Sequence, residues 1–419
     1  MSYLPRVIDE EIKELMEIMG AVLIEGCKWC GKSTTGLHHA KSVIEFQNPD
    51  RKQEYEEIKN TKPSLFLNGD KPRMIDEWQM YPVVWDSIRT DVDHSTKKGQ
   101  YILTGSAKPK EGATMHTGTG RISKVLMRPM SLFESGESTG EVSFDDIFEG
   151  KDIQGVSKLS LENLASIIVR GGWPASIDVK SNIKYRFAKE YVKSLIHEEV
   201  KKVDGVERNP EKMTSVLRSL ARNISTNVSN ATIEEDVKNY FDEEISKPTL
   251  SDYINTLEKL FVIENVNATN LNFRSKYAIR TKSKKYFVDP SIATAVLEIY
   301  PKYLIQDLNT FGFLFESLCM RDLKIYTQSY GGDITFYRDE KDFEIDAILR
   351  TSSGKWGAIE IKLGAGYIDE AANNLLKFKE RVDIQKCGEP SFLVVLTGAN
   401  YSYKREDGVY VVSIGTLKN

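Results

Sequence analysis

The chain has 419 residues, which is too long for one ordinary hydrophobic core, so several domains are expected. Its 40% hydrophobic, 10% aromatic and 28% charged residues are typical of a globular protein and exclude a disordered chain. The formal net charge of -4 excludes a global positive field that would attract nucleic acid or an anionic membrane, so any nucleic-acid contact must be a local patch.

The N-terminal residues indicate the compartment. They alternate acids with apolar residues at helical spacing and lack the uninterrupted apolar core of a signal peptide. No stretch is apolar and long enough to span a membrane. Four cysteines in a chain of this length do not form a disulfide framework, which fits a reducing compartment. We therefore expect a cytoplasmic protein that has no membrane partner.

The first third of the chain alternates helical and extended patterns. Apolar residues at helical spacing over 8–19 precede a short apolar run at 21–24, which predicts a buried strand. A glycine-rich turn and a helix follow this strand. Further strands are predicted at 64–67, 74–75 and 101–103. This alternation predicts a parallel sheet covered by helices.

The rest of the chain is helical at first and mixed at its end. Residues 159–203 form helices broken at Gly171–Pro174, and further helices are predicted at 211–223 and 249–260, followed by a strand at 262–266. The C-terminal strands are predicted at 334–338, 344–349, 356–361 and 391–396. The fold class is therefore a multidomain α/β protein. The predicted domains are an AAA-like P-loop domain at 1–150, a helical linker or lid at 151–205, a winged-helix-like module at 206–290, and a nuclease-like α/β domain at 291–419.

The strongest motif lies directly after the first strand. Residues 26–33 fit G-x-x-x-x-G-K-[ST], in which backbone N–H groups at a helix N-terminus bind phosphate oxygens. Lys32 is expected to reach the β- and γ-phosphates, and Ser33 to bind Mg²⁺. The sequence therefore predicts binding and hydrolysis of ATP or a related nucleoside triphosphate. The predicted nucleotide-binding residues of this loop are Gly26, Cys27, Lys28, Trp29, Cys30, Gly31, Lys32, Ser33 and Thr34.

Two later strands end in residues that suit the same chemistry. Asp76 and Glu77 follow an apolar strand, so Asp76 is expected to hold Mg²⁺ through water, and Glu77 to orient or deprotonate the attacking water. The strand at 101–103 continues into Thr104, a small hydroxyl residue that can sense the γ-phosphate. A plain strand followed by a turn remains open for Thr104.

At this point the sequence resembles a family, the AAA-type ATPases that carry a C-terminal DUF4143 region. The resemblance implies a further catalytic residue, Arg121, which would stabilise the transferred phosphate within one chain or from a neighbouring subunit of a homo-oligomer. An ion pair between Arg121 and an acid at a helix end is the open alternative. The matching stretches are Tyr3–Arg6, Gly26–Ser33, Ile75–Gln79, Leu103–Ser106, Gly120–Arg121, Arg128–Glu134 and Gly171–Pro174.

The phosphate loop departs from the family at one point. Relatives usually carry Pro-Arg after the first glycine, whereas Cys27 and Lys28 stand there in this chain. With Cys30, Cys27 forms a C-x-x-C pair that is also found in redox and metal sites. We favour the nucleotide-binding role, because a thiol pair with its own ligand would compete with the nucleotide and no second ligand pair is visible.

A basic segment follows the predicted helix at 249–260. In a winged helix it would form the wing, and its charges would project with no acid to neutralise them, which predicts contact with DNA phosphates. A solvated surface or a protein-packing wing is the alternative. The basic residues are Arg274, Lys276, Arg280, Lys282, Lys284 and Lys285.

The C-terminal region has the order helix Glu, strand Asp, strand Glu-x-Lys, which is that of the PD-(D/E)xK nuclease fold. Asp346 and Glu360 would bind Mg²⁺, Lys362 would stabilise developing charge or activate water, and Glu316 would complete the site. Glu360 and Lys362 point to the same face of a strand. Whether this set cleaves nucleic acid or is a salt-bridged scaffold is open. The function expected of the whole chain is an ATPase that couples its nucleotide state to DNA; a nucleotide switch and an ATP-gated nuclease are the alternatives.

Overall fold

The computed structural model of the protein describes residues 3–107, 114, 117–203, 205–241, 244–269 and 282–419. These residues form two compact units. The first comprises Met1–Pro129, Glu198–Glu207 and Thr256–Val262, and the second comprises Met130–His197, Arg208–Asn255 and Ile263–Asn419. In the described part of the chain, no helix has the length and apolarity needed to cross a membrane.

The first unit contains a five-stranded parallel sheet with the strand order β2-β3-β4-β1-β5. The central strands are buried along almost their whole length, as expected of a parallel sheet covered on both faces. Because the strands are parallel, the carboxyl ends of β1, β3 and β4 lie at the same edge of the sheet. Its elements are α1 (Ile8–Ile18), β1 (Ala21–Glu25), α2 (Lys32–His39), β2 (Ser42–Glu45), α3 (Lys52–Thr61), β3 (Arg73–Asp76), α4 (Val83–His94), β4 (Tyr101–Gly105) and β5 (Ile122–Leu126).

The strand predicted at 64–67 was wrong, because Pro63–Leu67 is a 3₁₀-helix. Phe66 and Leu67 are buried in this helix, so the apolar run reflects packing and not extension. A short apolar run cannot by itself distinguish a strand from another buried segment. The other predicted strands of this unit are confirmed.

The remaining elements begin with a helical region and end in a mixed sheet. Helix α6 starts at a capping box between Ser160 and Asn163 and ends at Gly171, which has a positive φ of 78°. The helices and the first short strands are β6 (Val142–Ser143), α5 (Phe144–Phe148), β7 (Gln154–Val156), α6 (Leu161–Arg170), α7 (Pro174–Ile177), α8 (Arg186–Ser194), α9 (Val200–Lys202), α10 (Pro210–Arg222), α11 (Asn230–Phe241), α12 (Lys247–Lys259), β8 (Ile263–Val266), β9 (Lys284–Phe287), α13 (Pro290–Val296), α14 (Pro301–Gln306) and α15 (Leu308–Gln328).

The second unit contains a seven-stranded sheet with the order β10-β11-β12-β13-β15-β14-β7. Trp356, Leu375 and Phe378 belong to the core that packs helix α16 on this sheet. The C-terminal elements are β10 (Asp333–Arg338), β11 (Glu344–Arg350), β12 (Trp356–Lys362), α16 (Ile368–Arg381), α17 (Ile384–Cys387), β13 (Phe392–Thr397), β14 (Tyr401–Lys404), β15 (Tyr410–Ser413) and β16 (Leu417–Lys418). The four strands predicted in this region correspond to β10, β11, β12 and β13.

The two compact units divide at 129/130, whereas the sequence predicted a domain boundary at residue 150. Strand β6 pairs with β16, and β7 pairs with β14, so residues 142–156 complete sheets whose other strands lie at the C-terminus. Pairing between strands so distant in sequence leaves no local signal in the sequence.

Two stretches shared with the family meet at a buried ion network in the second unit. Arg321 is 3% exposed and its Nη1 lies 2.8 Å from Oδ2 of Asp289. The backbone N–H of Gly172 donates to Asp289, and that of Leu132 donates to Asp322, which also pairs with Arg321. Burial raises the pKa of Asp322 to about 6 despite this pairing. These stretches therefore stabilise the core of the second unit.

Candidate functional site

The phosphate loop connects β1 to α2 and is shaped by its glycines. Gly26 and Gly31 have φ values of 155° and 105°, which L side chains rarely adopt. A Cβ atom at Gly26 would lie 2.1 Å from the carbonyl oxygen of Met127. The loop therefore requires glycine at these positions, and α2 begins immediately after it with its N-terminal N–H groups available to an anion.

Lys32 is positioned over this loop. It is only 5% exposed, and its Nζ donates to the carbonyl oxygen of Cys27 at 2.8 Å. A hydrogen bond to the loop backbone holds the ammonium at the place where the loop turns. Trp29 has a positive φ of 67° and is 40% exposed, and Thr34 is exposed in the first turn of α2.

The predicted magnesium residues lie together at the carboxyl edge of the sheet. Ser33 Oγ donates to Asp76 Oδ1 at 2.8 Å, and Thr104 Oγ1 donates to the same oxygen at 2.5 Å. Hydroxyl and carboxylate oxygens are ligands that Mg²⁺ accepts together with water. Ser33 and Asp76 fit a magnesium ion, and Thr104 orients the carboxylate.

Glu77 follows at the end of β3 with a positive φ of 53°, uncommon for a residue other than glycine. Its backbone N–H donates to Thr104 Oγ1 at 3.2 Å. Its Oε2 accepts hydrogen bonds from Gln79 Nε2 and from Ser106 Oγ, the latter at 3.1 Å. The side chain of this predicted base is therefore fixed by two donors.

Sequence reasoning did not assign a role to Gln79. Gln79 Oε1 is buried and has no hydrogen-bond partner in the described part of the chain. No pattern in the sequence marks Gln79, and only the tight 3₁₀ turn at Trp78–Met80 brings it to Glu77.

Arg121 lies at the opposite edge of the sheet from the phosphate loop of its own chain. Its carbonyl oxygen accepts from the N–H of Ala21, the first residue of β1, whereas the phosphate loop follows the last. Five residues of strand at about 3.3 Å each separate the two edges by about 16 Å. The Arg121 guanidinium instead pairs with Asp93 near the end of α4, with Nε 2.7 Å from Oδ1.

The two cysteines of the loop are buried, with no exposed surface. Cys30 Sγ lies 3.4 Å from the carbonyl oxygen of Met127. Burial raises the pKa of Cys30, but the hydrogen bond with Cys27 and the charges of Lys32 and Arg6 outweigh it, and the pKa falls to about 6. Arg6 also donates to the Cys30 carbonyl oxygen at 3.0 Å, so the family stretch at the N-terminus supports the loop.

Lys28 connects the loop to a later part of the chain. Its Nζ lies 2.7 Å from Oε1 of Glu199, in the segment 198–207 of the first unit. A π-helical turn at Leu195–Glu199 leads into this segment. Such turns are rare and frequently mark functional positions.

The four predicted nuclease-like residues lie in the second unit, three of them on β11 and β12 or their ends. Asp346 Oδ2 accepts from the backbone N–H of Ile361 at 2.7 Å, and Lys362 Nζ lies 3.4 Å from the same oxygen. Lys362 Nζ also lies 2.8 Å from Glu360 Oε2. Burial and the charge of Asp346 raise the pKa of Glu360 to about 8.

Glu316, on α15, joins this cluster through two residues of β9. Its Oε1 accepts from Tyr286 OH at 2.7 Å and lies 3.6 Å from Lys284 Nζ. Burial is the main cause that raises its pKa to about 7, against the lowering effect of Lys284. In the described part of the chain, no group of three or more Asp, Glu, His or Cys side chains is arranged to hold a metal ion.

The prediction that Lys284 projects as a free basic residue was wrong. Lys284 is 3% exposed, and its Nζ lies 2.5 Å from Glu344 Oε1. Of its neighbours, Lys282 is exposed and Lys285 is partly exposed. The remaining predicted basic contacts, Arg274, Lys276 and Arg280, lie outside the described residues.

Three family models match the sequence: an AAA domain over residues 19–135, a domain of unknown function (DUF8612) over residues 161–303, and a domain of unknown function (DUF4143) over residues 311–417. The AAA match contains the phosphate loop, Asp76, Glu77 and Thr104. The DUF4143 match contains Glu316 and the strands β10–β15. A search of curated proteins found no significant match.

Two solved structures are similar to this chain at low identity. A Walker-type ATPase of Pyrococcus abyssi is 14% identical, with 69% of this chain and 94% of that chain covered and a TM-score of 0.41. A signal transduction ATPase with numerous domains and a tetratricopeptide repeat sensor, from Pyrococcus horikoshii, is 14% identical, with coverages of 78% and 53% and a TM-score of 0.25. Because both TM-scores are below 0.5, no conclusion is drawn from these likenesses.

The domain matches agree with the loop geometry. The AAA match lies on the parallel sheet whose edge carries Lys32, Ser33 and Asp76, and the DUF4143 match lies on the C-terminal mixed sheet. The chain therefore combines an AAA-type P-loop domain with a C-terminal DUF4143 domain.

Proposed function

We propose that the chain hydrolyses ATP at the carboxyl edge of the five-stranded sheet and uses the nucleotide state to act on its C-terminal modules. The observation that carries this proposal is the hydrogen-bonded set of Ser33, Asp76 and Thr104. Ser33 lies next to Lys32 at the start of α2, Asp76 ends β3, and Thr104 lies near the end of β4. The three side chains meet at the carboxyl edge of the sheet.

Each residue has a distinct role. The N–H groups of the loop and the Lys32 ammonium bind the phosphates. Ser33 and Asp76 hold Mg²⁺, which when bound neutralises charge on the phosphate oxygens. Glu77, fixed by Gln79 and Ser106, orients and deprotonates the attacking water.

The ion pair between Lys28 and Glu199 supports a coupling role. Lys28 belongs to the proposed phosphate-binding loop. Glu199 belongs to segment 198–207 of the first unit, and the residues on both sides of this segment in the sequence belong to the second unit. A change in the loop on nucleotide binding therefore acts on a segment continuous with the second unit at both ends. Arg121, which lies far from its own loop, would act on the loop of a neighbouring subunit in a homo-oligomer.

DNA is the proposed target of the second unit. Helices α10, α11 and α12 followed by the β8–β9 pair have the element order of a winged helix. A cavity of about 420 Å³ lies between the start of α11 and the strand pair, and its lining includes Asn230, Lys282 and Lys285. Two lysines beside a helix N-terminus suit a phosphate group.

The direct test of hydrolysis is the Glu77→Gln variant, with phosphate release measured at saturating ATP. We expect kcat to fall about 100-fold to 1,000-fold while ATP binding is kept, because a general base typically contributes on the order of 10²–10⁴. Glu45→Gln is the matched control, since Glu45 is an exposed carboxylate at the end of the neighbouring strand β2. Unchanged phosphate release in Glu77→Gln would refute the assignment.

A nucleotide switch with an inert C-terminal domain is the second candidate. The observation that favours it is the pairing of two nuclease-like acids with lysines, Glu316 with Lys284 and Glu360 with Lys362. Turnover measured with and without duplex or single-stranded DNA separates the two candidates. Stimulation by DNA supports the coupled ATPase, and slow turnover that DNA does not change supports the switch.

A further inference from the structure

The acid cluster of the second unit contains a lysine that the nuclease-like motif does not include. We infer that Lys284 is a built-in counter-ion of this cluster, which neutralises Glu316 and Glu344 in place of a divalent cation and closes the site to metal. The residues of a PD-(D/E)xK motif are present in the sequence, but their surroundings do not fit a metal ion.

The position of Lys284 follows from the strand pairing. In the antiparallel pair of β8 and β9, Lys284 faces Val266 in register, and Tyr286 lies two residues further along the same strand. Side chains two apart in a strand share a face, and both Lys284 and Tyr286 contact Glu316. Lys285 lies between them and donates to Asn265, so it belongs to the other face.

The ammonium of Lys284 is almost completely removed from water. It is 3% exposed, lies 2.5 Å from Glu344 and 3.6 Å from Glu316, and is stacked 5.3 Å from the centre of the Phe336 ring. A buried ammonium is stable only when it is paired, and a buried carboxylate has the same requirement. Lys284 and the two glutamates therefore satisfy each other.

The second half of the cluster is compensated in the same way. Lys362 lies 2.8 Å from Glu360 and 3.4 Å from Asp346, and Asn374 donates to Glu360 at 2.5 Å. The backbone N–H of Ile361 occupies a further acceptor position of Asp346. Both carboxylate oxygens of Glu360 and Oδ2 of Asp346 are thus already bound to Lys362, Asn374 and a backbone N–H.

The experiment measures Mn²⁺ binding by titration calorimetry without nucleotide. Every protein is the full chain with Asp76→Asn, which removes the carboxylate proposed for metal at the phosphate loop. In this background we expect no Mn²⁺ site tighter than the millimolar range. Lys284→Met removes the charge and keeps the length of the side chain, and it should create one Mn²⁺ site at least tenfold tighter. Lys285→Met, the adjacent lysine on the other face, is the matched control and should create none.

Two outcomes would overturn the inference. The first is a tight Mn²⁺ site in the chain that retains Lys284, if Asp346→Asn abolishes it; this test does not depend on the folding of a Lys284 variant. The second is the absence of a new site in Lys284→Met or in the milder Lys284→Gln, when circular dichroism and thermal unfolding show either variant to be folded. Adding Glu316→Gln to Lys284→Met should remove the new site, which identifies its ligands.

Discussion

The hydrogen bond that Gln79 donates to Glu77 leads to a quantitative prediction about turnover. Gln79→Leu removes one of the two donors to Glu77 Oε2 and leaves Ser106 as the other. A hydrogen bond to a charged group contributes about 1.5–3 kcal/mol. If this contribution acts by keeping the carboxylate aimed at the attacking water, its loss lowers kcat by about tenfold to hundredfold, since about 1.4 kcal/mol corresponds to tenfold.

The assay is steady-state phosphate release as a function of ATP concentration, together with nucleotide affinity measured by fluorescence titration. We expect kcat to fall while KM and the affinity stay within about twofold, because Gln79 contacts Glu77 and not the phosphate loop. Gln79→Glu should lose more activity than Gln79→Leu, since it places a like charge beside Glu77. Gln100→Leu is the control, because Gln100 lies at the opposite edge of the sheet, just before β4.

A different pattern would refute this reasoning. If Gln79→Leu weakens nucleotide binding and leaves kcat unchanged, Gln79 supports the loop and not the carboxylate. If Gln79→Glu is as active as the unchanged chain, the hydrogen bond to Glu77 has no role in turnover.

Three further predictions concern the ion pairs and the buried acids. At a dilution where light scattering shows single chains, Arg121→Ala should leave the rate of single-turnover hydrolysis unchanged within about twofold. The reason is that Arg121 and the phosphate loop lie at opposite ends of a strand about 16 Å long; a large loss of rate would indicate a role within one chain. Glu199→Gln should change the free energy of unfolding by less than about 1 kcal/mol, as is typical of partly exposed pairs. If Lys28 and Glu199 couple the loop to segment 198–207, ATP should change the rate of proteolysis within this segment in the unchanged chain and not in Glu199→Gln; the same ATP effect in both would exclude the coupling. The raised pKa of Glu360, from its ordinary 4.5 to about 8, means that the folded state binds more protons than the unfolded state between these values, so this residue's contribution to stability falls as pH rises through that range. The free energy of unfolding of Glu360→Gln, minus that of the unchanged chain, should therefore increase as the pH rises from 5 to 8, by about 4 kcal/mol at most at about 1.4 kcal/mol per pKa unit. Urea unfolding at both pH values measures this difference, and a difference that does not change with pH would contradict the prediction.

The nucleotide site was largely predictable because its signals are local. Eight consecutive residues specify the loop, and the conformations of Gly26 and Gly31 follow from their lack of a side chain. Asp76 was predictable as a partner of Ser33 because parallel strands bring their carboxyl ends to one edge. Gln79 was not predicted, because the 3₁₀ turn that brings it to Glu77 has no distinctive sequence signal.

The position of Arg121 shows a different limit. A glycine-arginine pair after the fourth predicted strand does not reveal at which edge of the sheet the arginine lies. The parallel pairing of β5 with β1 places Arg121 at the amino edge, where Asp93 neutralises it.

The sequence by itself determined the phosphate loop, the parallel sheet that carries it, and the helix and strand order of the C-terminal acids, since each depends on residues close together in the chain. Only the tertiary structure decided the state of those acids. Lys284, Glu316 and Glu344 are separated by tens of residues, and their pairing depends on how β9, α15 and β11 pack. Whether a lysine is a solvated basic residue or a buried counter-ion is set by the water and the charges around it, which are properties of the folded chain.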